Sequence, residues 1–104
     1  MFSFLKTLFS SKPKADLGEI IKSGATIIDV RSKGEFQQGH LKGSVNIPLK
    51  NLQDNISKIR KDKPVITCCA SGARSSAAKG ILRSNGFTEV YNGGAWTSLR
   101  KYIN

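Results

Sequence analysis

At 104 residues the chain is long enough for one hydrophobic core and too short for two. Hydrophobic residues at 38% and charged residues at 23% exclude a disordered, charge-dominated chain. Seventeen Lys and Arg against seven Asp and Glu leave a net charge of +10, a positive field that attracts anions. The basic residues nevertheless fall in scattered groups, Lys12/Lys14, Lys58/Arg60/Lys61/Lys63 and Arg100/Lys101, without interleaved aromatic side chains, so no nucleic-acid partner is expected.

The opening stretch, MFSFLKTLFSSKPK, has no cation ahead of its apolar run and is broken by Lys6, which makes it a poor secretory signal and predicts a cytoplasmic location. Phe2, Leu5, Leu8 and Phe9 share one side of an amphipathic segment that either packs on the domain, the favoured reading, or rests on a membrane surface. Nothing in it is long enough to span a bilayer. Ser10 to Lys14, with Ser-Ser and Pro13, reads as a linker, so residues 1–14 form an N-terminal segment and residues 15–104 the domain.

Asp16 followed by Glu19 is a capping pattern that opens a short helix with Leu17, Ile20 and Ile21 on one face, closed at Gly24. Thr26 to Val30 is a β-branched run without alternation, as in a strand buried on both faces of a parallel sheet. Ser32 and Glu35 repeat the capping pattern for a helix ending at Gly39. Ser44 to Ile47 reads as a strand stopped by Pro48, and Leu49, Leu52, Ile56 and Ile59 recur at helical spacing. Pro64 to Cys68 is the most strand-like run, Cys69 to Arg74 a connection, and Ser75 to Ser84 a helix. Phe87 to Tyr91 predicts a last strand, Asn92-Gly93-Gly94 a turn, and Trp96 to Ile103 a final helix. The alternation predicts an α/β domain with a mostly parallel sheet of four or five strands flanked by helices on both faces.

The two cysteines, Cys68 and Cys69, are adjacent, so they cannot form an ordinary disulfide, and no spacing suggests a zinc site; neither metal nor cofactor is expected. Free thiols fit a reducing compartment. Cys69 stands just beyond the carboxyl end of a strand, where open α/β sheets hold their ligands. From Cys69 through Ala70, Ser71, Gly72 and Ala73 to Arg74 only small residues separate the sulfur from the arginine, which lets the backbone curl until its N–H groups converge on an anion. The following helix adds the positive end of its dipole, and the same field favours thiolate over thiol. Such a loop is a poor place to bury a side chain, so Cys69 is expected to be accessible and nucleophilic, while Cys68, as the last strand residue, is expected to point the other way into the core, a resolving thiol being the lesser reading.

At this loop the chain resembles the rhodanese family, whose pattern Cys-x-x-Gly-x-Arg-Ser is matched by Cys69, Gly72, Arg74 and Ser75. Asp29-Val30-Arg31 with Glu35-Phe36, the run from Gly39-His40 to Pro48, and Gly86-Phe87 with Gly93-Gly94-Ala95-Trp96 are similar to other marks of that family and fall in the same order over residues 15–104. The resemblance implies sulfur transfer: Cys69 takes a sulfane sulfur from a small anionic donor such as thiosulfate, holds it as a persulfide, and yields it to cyanide or a thiol. A thioredoxin-like or other sulfur-carrier protein is a further partner it suggests. Residues Ala70 to Arg74 would bind the substrate through their amides, with Arg74 shared between bracing the loop and touching the anion. Asp29 and Arg31 are implied to be supporting residues, Arg31 lying between the carboxylates of Asp29 and Glu35, and His40 a turn residue rather than a base. The family's aromatic residue before the cysteine is replaced by Cys68, and Ala70 and Ala73 are small, which leaves the donor open. Two rivals stand: a non-catalytic interaction module on the same fold, and a phosphatase, because Cys68 and Arg74 fit a Cys-x5-Arg spacing.

Overall fold

The computed structural model describes residues 16–103, so the expectations for residues 1–14 lie outside the described part. Asp16 caps the first helix, α1 (Leu17–Lys22), its Oδ1 accepting the Glu19 N–H at 3.2 Å. Strand β1 (Thr26–Asp29) follows, then α2 (Lys33–Gln37), opened by a reciprocal capping box between Ser32 and Glu35. The short strand β2 (Val45–Asn46) leads past Pro48 into α3 (Leu49–Leu52), which tightens into a 3-10 helix over Gln53–Lys58. Strand β3 (Val65–Cys69), helix α4 (Ala73–Ser84), strand β4 (Val90–Ala95) and a 3-10 helix over Trp96–Tyr102 complete the order.

All strand pairings are parallel, in the order β2-β1-β3-β4. Connections from the neighbouring strands β1 and β3 depart in opposite directions, which opens a crevice between their carboxyl ends. The unalternating runs of β1 and β3 are explained by helices on both faces. Ile28, Val65 and Cys69 face α3 and α4 with Leu52, Ala78 and Leu82. Ile27, Ile66 and Cys68 face the other way, against Leu41, Leu99 and the apolar side of α1. Adjacent residues of a strand point to opposite sides, and the two thiols are separated by that rule.

Several boundaries differ from expectation, and the expected final helix is 3-10 rather than α. Strand β3 runs one residue further and takes in Cys69, while α4 begins two residues earlier, at Ala73; the connection shrinks to Ala70–Gly72. The last strand starts later, because the buried Phe87 gives its N–H to Leu82 O at 3.1 Å in closing α4. The supposed turn at Asn92-Gly93-Gly94 is part of β4: register passes from Thr67 opposite Asn92 to Cys69 opposite Ala95, so β4 carries one extra residue, a bulge. Glycine is needed there, since a Cβ on Gly93 would lie 2.8 Å from Ile66 Cγ2 and 2.9 Å from Thr67 O.

Candidate functional site

The sulfur of Cys69 sits where β3 ends and α4 begins. The first N–H groups of a helix have no partner within it, and here that of Ser75 donates to Cys69 Sγ at 3.3 Å. The Gly72 N–H donates to the same sulfur at 2.9 Å, from a residue whose φ of +110° only glycine adopts without strain. Ser75 Oγ lies 3.4 Å from Sγ. Burial pushes the Cys69 thiol up, but the Ser75 hydroxyl and the N–H groups of Ser75, Gly72 and Ser71 outweigh it and hold the thiol below its ordinary value. The arrangement can stabilise a sulfur anion.

Accessibility differs from expectation. Cys69 has no exposed surface, because the three-residue connection folds over the sulfur instead of standing away from it. The cover is thin: Ala70 and Ser71 above it are themselves exposed. Cys68 is equally buried but in the opposite layer, and burial, followed by the charge of Asp29, pushes its thiol up to about 12. Its side chain also lies on the opposite face of the sheet from the N–H groups that converge on Cys69, which weighs against phosphate chemistry at Cys68.

Arg74 is turned to Glu35, Nη1 to Oε1 at 2.7 Å and Nη2 to Oε2 at 3.0 Å, a two-pronged pair that ties the start of α4 to α2. That pair, followed by the Ser32 N–H and hydroxyl, lowers the Glu35 carboxyl to about 2. Glu35 was expected to share Arg31 with Asp29; instead Arg31 reaches only its backbone oxygen, at 3.4 Å, because the carboxylate is already committed to Arg74 and Ser32. Asp29 and Arg31 do pair, with Nη2 to Oδ2 at 2.7 Å, and both side chains are almost wholly buried. Arg31 Nη2 also donates to Gly39 O at 2.7 Å, and its guanidinium lies on the Trp96 ring, 4.6 Å from the centroid. His40 is exposed, stacks on Phe36 and places Nδ1 2.8 Å from Phe36 O, as a turn residue does.

Three residues at the site carried no role in the sequence reading. Thr67 Oγ1 donates to Ser75 O at 2.8 Å and clamps the first turn of α4 to β3. The Ser75 hydroxyl reaches Gly72 O at 3.0 Å and Asn92 Oδ1 at 2.6 Å. The closing serine of the Cys-x-x-Gly-x-Arg-Ser pattern is the local signal for Ser75, and the spacing of Thr67 and Asn92 along the chain offers none. Beside the loop lies an open groove of about 1010 Å³, between the segments that leave β1, β2 and β3. Val30, Phe36, Pro48 and Leu49 supply apolar walls, and Lys33, Lys50 and Arg74 add positive charge. Among the described residues no group of acidic, His or Cys side chains could hold a metal ion, and no helix is long and apolar enough to cross a membrane.

This geometry has relatives. The profile of the rhodanese-like domain matches residues 14–96. The chain is 48% identical over 68 residues to the uncharacterized protein YqhL of Bacillus subtilis, a match covering 65% of this chain and 54% of that one, so it spans about half of that relative's length. It is 33% identical over 86 residues to the thiosulfate sulfurtransferase GlpE of Pseudomonas savastanoi pv. phaseolicola, covering 83% of this chain and 81% of the relative. A solved structure described as a rhodanese with anions from E. coli superposes with a TM-score of 0.68 at 36% identity, over 72% of this chain and 91% of the other. A shared sheet, a match over most of the chain and relatives named as sulfurtransferases lead to one assignment: the chain belongs to the rhodanese-like domain family.

Proposed function

We propose that the chain is a sulfurtransferase that works through a persulfide on Cys69. The observation that carries this reading is the convergence of N–H groups on the Cys69 sulfur at the carboxyl end of β3. The thiolate attacks the outer sulfur of a donor such as thiosulfate; a Cys69 S–S bond forms, the donor's S–S bond breaks, and sulfite leaves with the bonding pair. The outer sulfur then bears the negative charge within the amide cradle of Ala70 to Arg74. Cyanide or a thiolate attacks that sulfur and returns Cys69 as thiolate, so two displacements exchange one sulfur atom and ping-pong kinetics follow.

Because Cys69 is covered, the donor reaches it when the Ala70–Gly72 connection yields. Arg74, held by Glu35, braces that connection and presents its charge to the groove. The groove suits the body of an organic sulfur donor or acceptor with an apolar part and carboxylates, including an exposed segment of a thioredoxin-like or other sulfur-carrier protein. We assign residues 15–104 to the domain and residues 1–14 to a separate segment, and we place the protein in the cytoplasm, where its thiols stay reduced.

The closed loop favours one second reading, a binding module on the same fold. The test is incubation with thiosulfate followed by mass spectrometry of the intact protein and of its Cys69 peptide. One added sulfur atom, lost in Cys69→Ser and discharged by cyanide as thiocyanate, is the expected result. An unloaded Cys69 at saturating thiosulfate and with an organic persulfide donor overturns the proposal in favour of the binding module.

A further inference from the structure

A serine hydroxyl has one hydrogen to donate, and at Ser75 two oxygen acceptors surround it together with a sulfur that donates to it as a thiol and can accept from it as a thiolate. Asn92 Oδ1 is at 2.6 Å, Gly72 O at 3.0 Å and Cys69 Sγ at 3.4 Å. The asparagine oxygen is fixed in place by a second donor, the Gly94 N–H at 2.9 Å; reversing the amide would set its NH2 against that N–H. Asn92 keeps its ladder position opposite Thr67, at the point where the bulge in β4 begins, and its side chain is directed at the start of α4.

Where the hydrogen rests then depends on the charge of the sulfur. While Sγ is neutral, the hydroxyl gives its hydrogen to Asn92 and turns a lone pair toward the sulfur. When Sγ is a thiolate, the hydroxyl gains by turning to it, and Asn92 Oδ1 is left with the Gly94 N–H as its donor. We propose that Asn92 is a positioning residue that acts through Ser75: it competes with the Cys69 thiolate for the Ser75 hydroxyl hydrogen, and so tilts the site from the bare thiolate toward the sulfur-loaded state. This rests on the persulfide reading in its last clause. On loading, Sγ is bonded to Cβ and to the outer sulfur and carries no charge, so the hydroxyl returns to Asn92. No proton leaves the site; one O–H bond rotates.

The charged and titratable groups around the sulfur are Arg74 with its partner Glu35, the Asp29–Arg31 pair at the end of β1, and Cys68 on its own strand. None of them hydrogen-bonds to Asn92 among the described residues, and all are retained in the variants that follow.

The experiment follows the pH dependence of Cys69 alkylation by iodoacetamide, read on the Cys69 peptide. Asn92→Ala frees the hydroxyl for the thiolate, and the midpoint is expected to fall by about 0.5–1 pH unit, the worth of one net hydrogen bond. Asn92→Asp keeps an acceptor, adds a negative charge, and is expected to raise the midpoint; it serves also if Asn92→Ala fails to fold. In a Ser75→Ala background Asn92→Ala is expected to cause no shift. An unchanged or raised midpoint in folded Asn92→Ala, a lowered one in Asn92→Asp, or the same fall without the Ser75 hydroxyl overturns the proposal. With thiosulfate and sulfite present together, the loaded-to-free ratio of Asn92→Ala is expected to drop about 3–10-fold. Alkylation needs no sulfur donor, so a wild-type protein that never loads sulfur but shows the midpoint shifts sinks the sulfurtransferase reading and leaves the hydroxyl competition standing.

Discussion

Replacing Arg31 by Met tests how the crevice is held from below. The side chain makes three contacts with the Asp29 carboxylate, at 2.9, 3.0 and 2.7 Å, and one with Gly39 O at 2.7 Å. Its removal leaves the carboxylate fully buried with the Arg31 N–H, at 3.0 Å, as the donor that remains. Breaking a buried ion pair on one side costs about 3–5 kcal/mol, because the remaining charge is neither solvated nor matched. Set against the roughly 5–15 kcal/mol of total stability typical of a domain, that is a large fraction. At about 4–8 °C per kcal/mol for a domain of this size, Tm is expected to fall by at least about 12 °C. Urea titration followed by circular dichroism measures the loss directly. The double variant Asp29→Asn/Arg31→Met removes the stranded charge and is expected to recover part of it, giving a favourable coupling between the two positions. A loss below about 1 kcal/mol, the range of exposed pairs, would refute the reasoning, since it would mean that water reaches the carboxylate.

Gly72→Ala forces a Cβ onto a φ of +110°. Stability is expected to drop by about 1–2 kcal/mol, and sulfur loading by more than the folded fraction does, because the Gly72 N–H is pulled off the sulfur; loading per folded molecule checks this. Glu35 has its folded value lowered to about 2 from an ordinary 4.5, so the stability it contributes is present above the ordinary value and is lost as pH falls through the window from 4.5 to about 2. Across that window the urea midpoint of wild type is expected to fall more steeply than that of Glu35→Gln, and parallel profiles would show that the Arg74 pair contributes nothing. Cys68→Ala is expected to cost roughly 1 kcal/mol of packing while Cys69 still loads sulfur, and abolished loading would tie Cys68 to the chemistry. Lys33→Glu with Lys50→Glu is expected to raise KM for a dicarboxylate thiol acceptor about 3–10-fold at low salt and to leave cyanide discharge as it was; equal effects on both acceptors would remove the groove from substrate binding.

Much of the fold was legible because its signals are local. Asp16 and Ser32 cap the helices they precede, the β-branched runs before Asp29 and Cys68 are strands, and the small residues from Ala70 to Ala73 permit a tight curl. Each of these is decided by chemistry within about four residues along the chain. The separation of Cys68 from Cys69 onto opposite faces was also readable, since strand periodicity alone requires it.

The rest depended on which distant segments meet. Glu35 and Arg74 are 39 positions apart, and the choice of Arg74 over Arg31 as the partner of that carboxylate follows from how α2 packs beside the start of α4. The Gly-Gly after Asn92 has the composition of a turn, yet in place it accommodates Ile66 and Thr67 against a bulged strand, because the neighbour's side chains fill the space where a Cβ would stand. Burial of Cys69 was decided in the same way: composition allowed the loop to curl, but only the docking of α4 on β3, clamped by Thr67 to Ser75, set how closely it covers the sulfur. Local sequence thus determined the elements, their caps and the nature of the strand-end loop, whereas register and packing between elements determined which polar groups meet, for those contacts are set by three-dimensional approach and not by spacing along the chain.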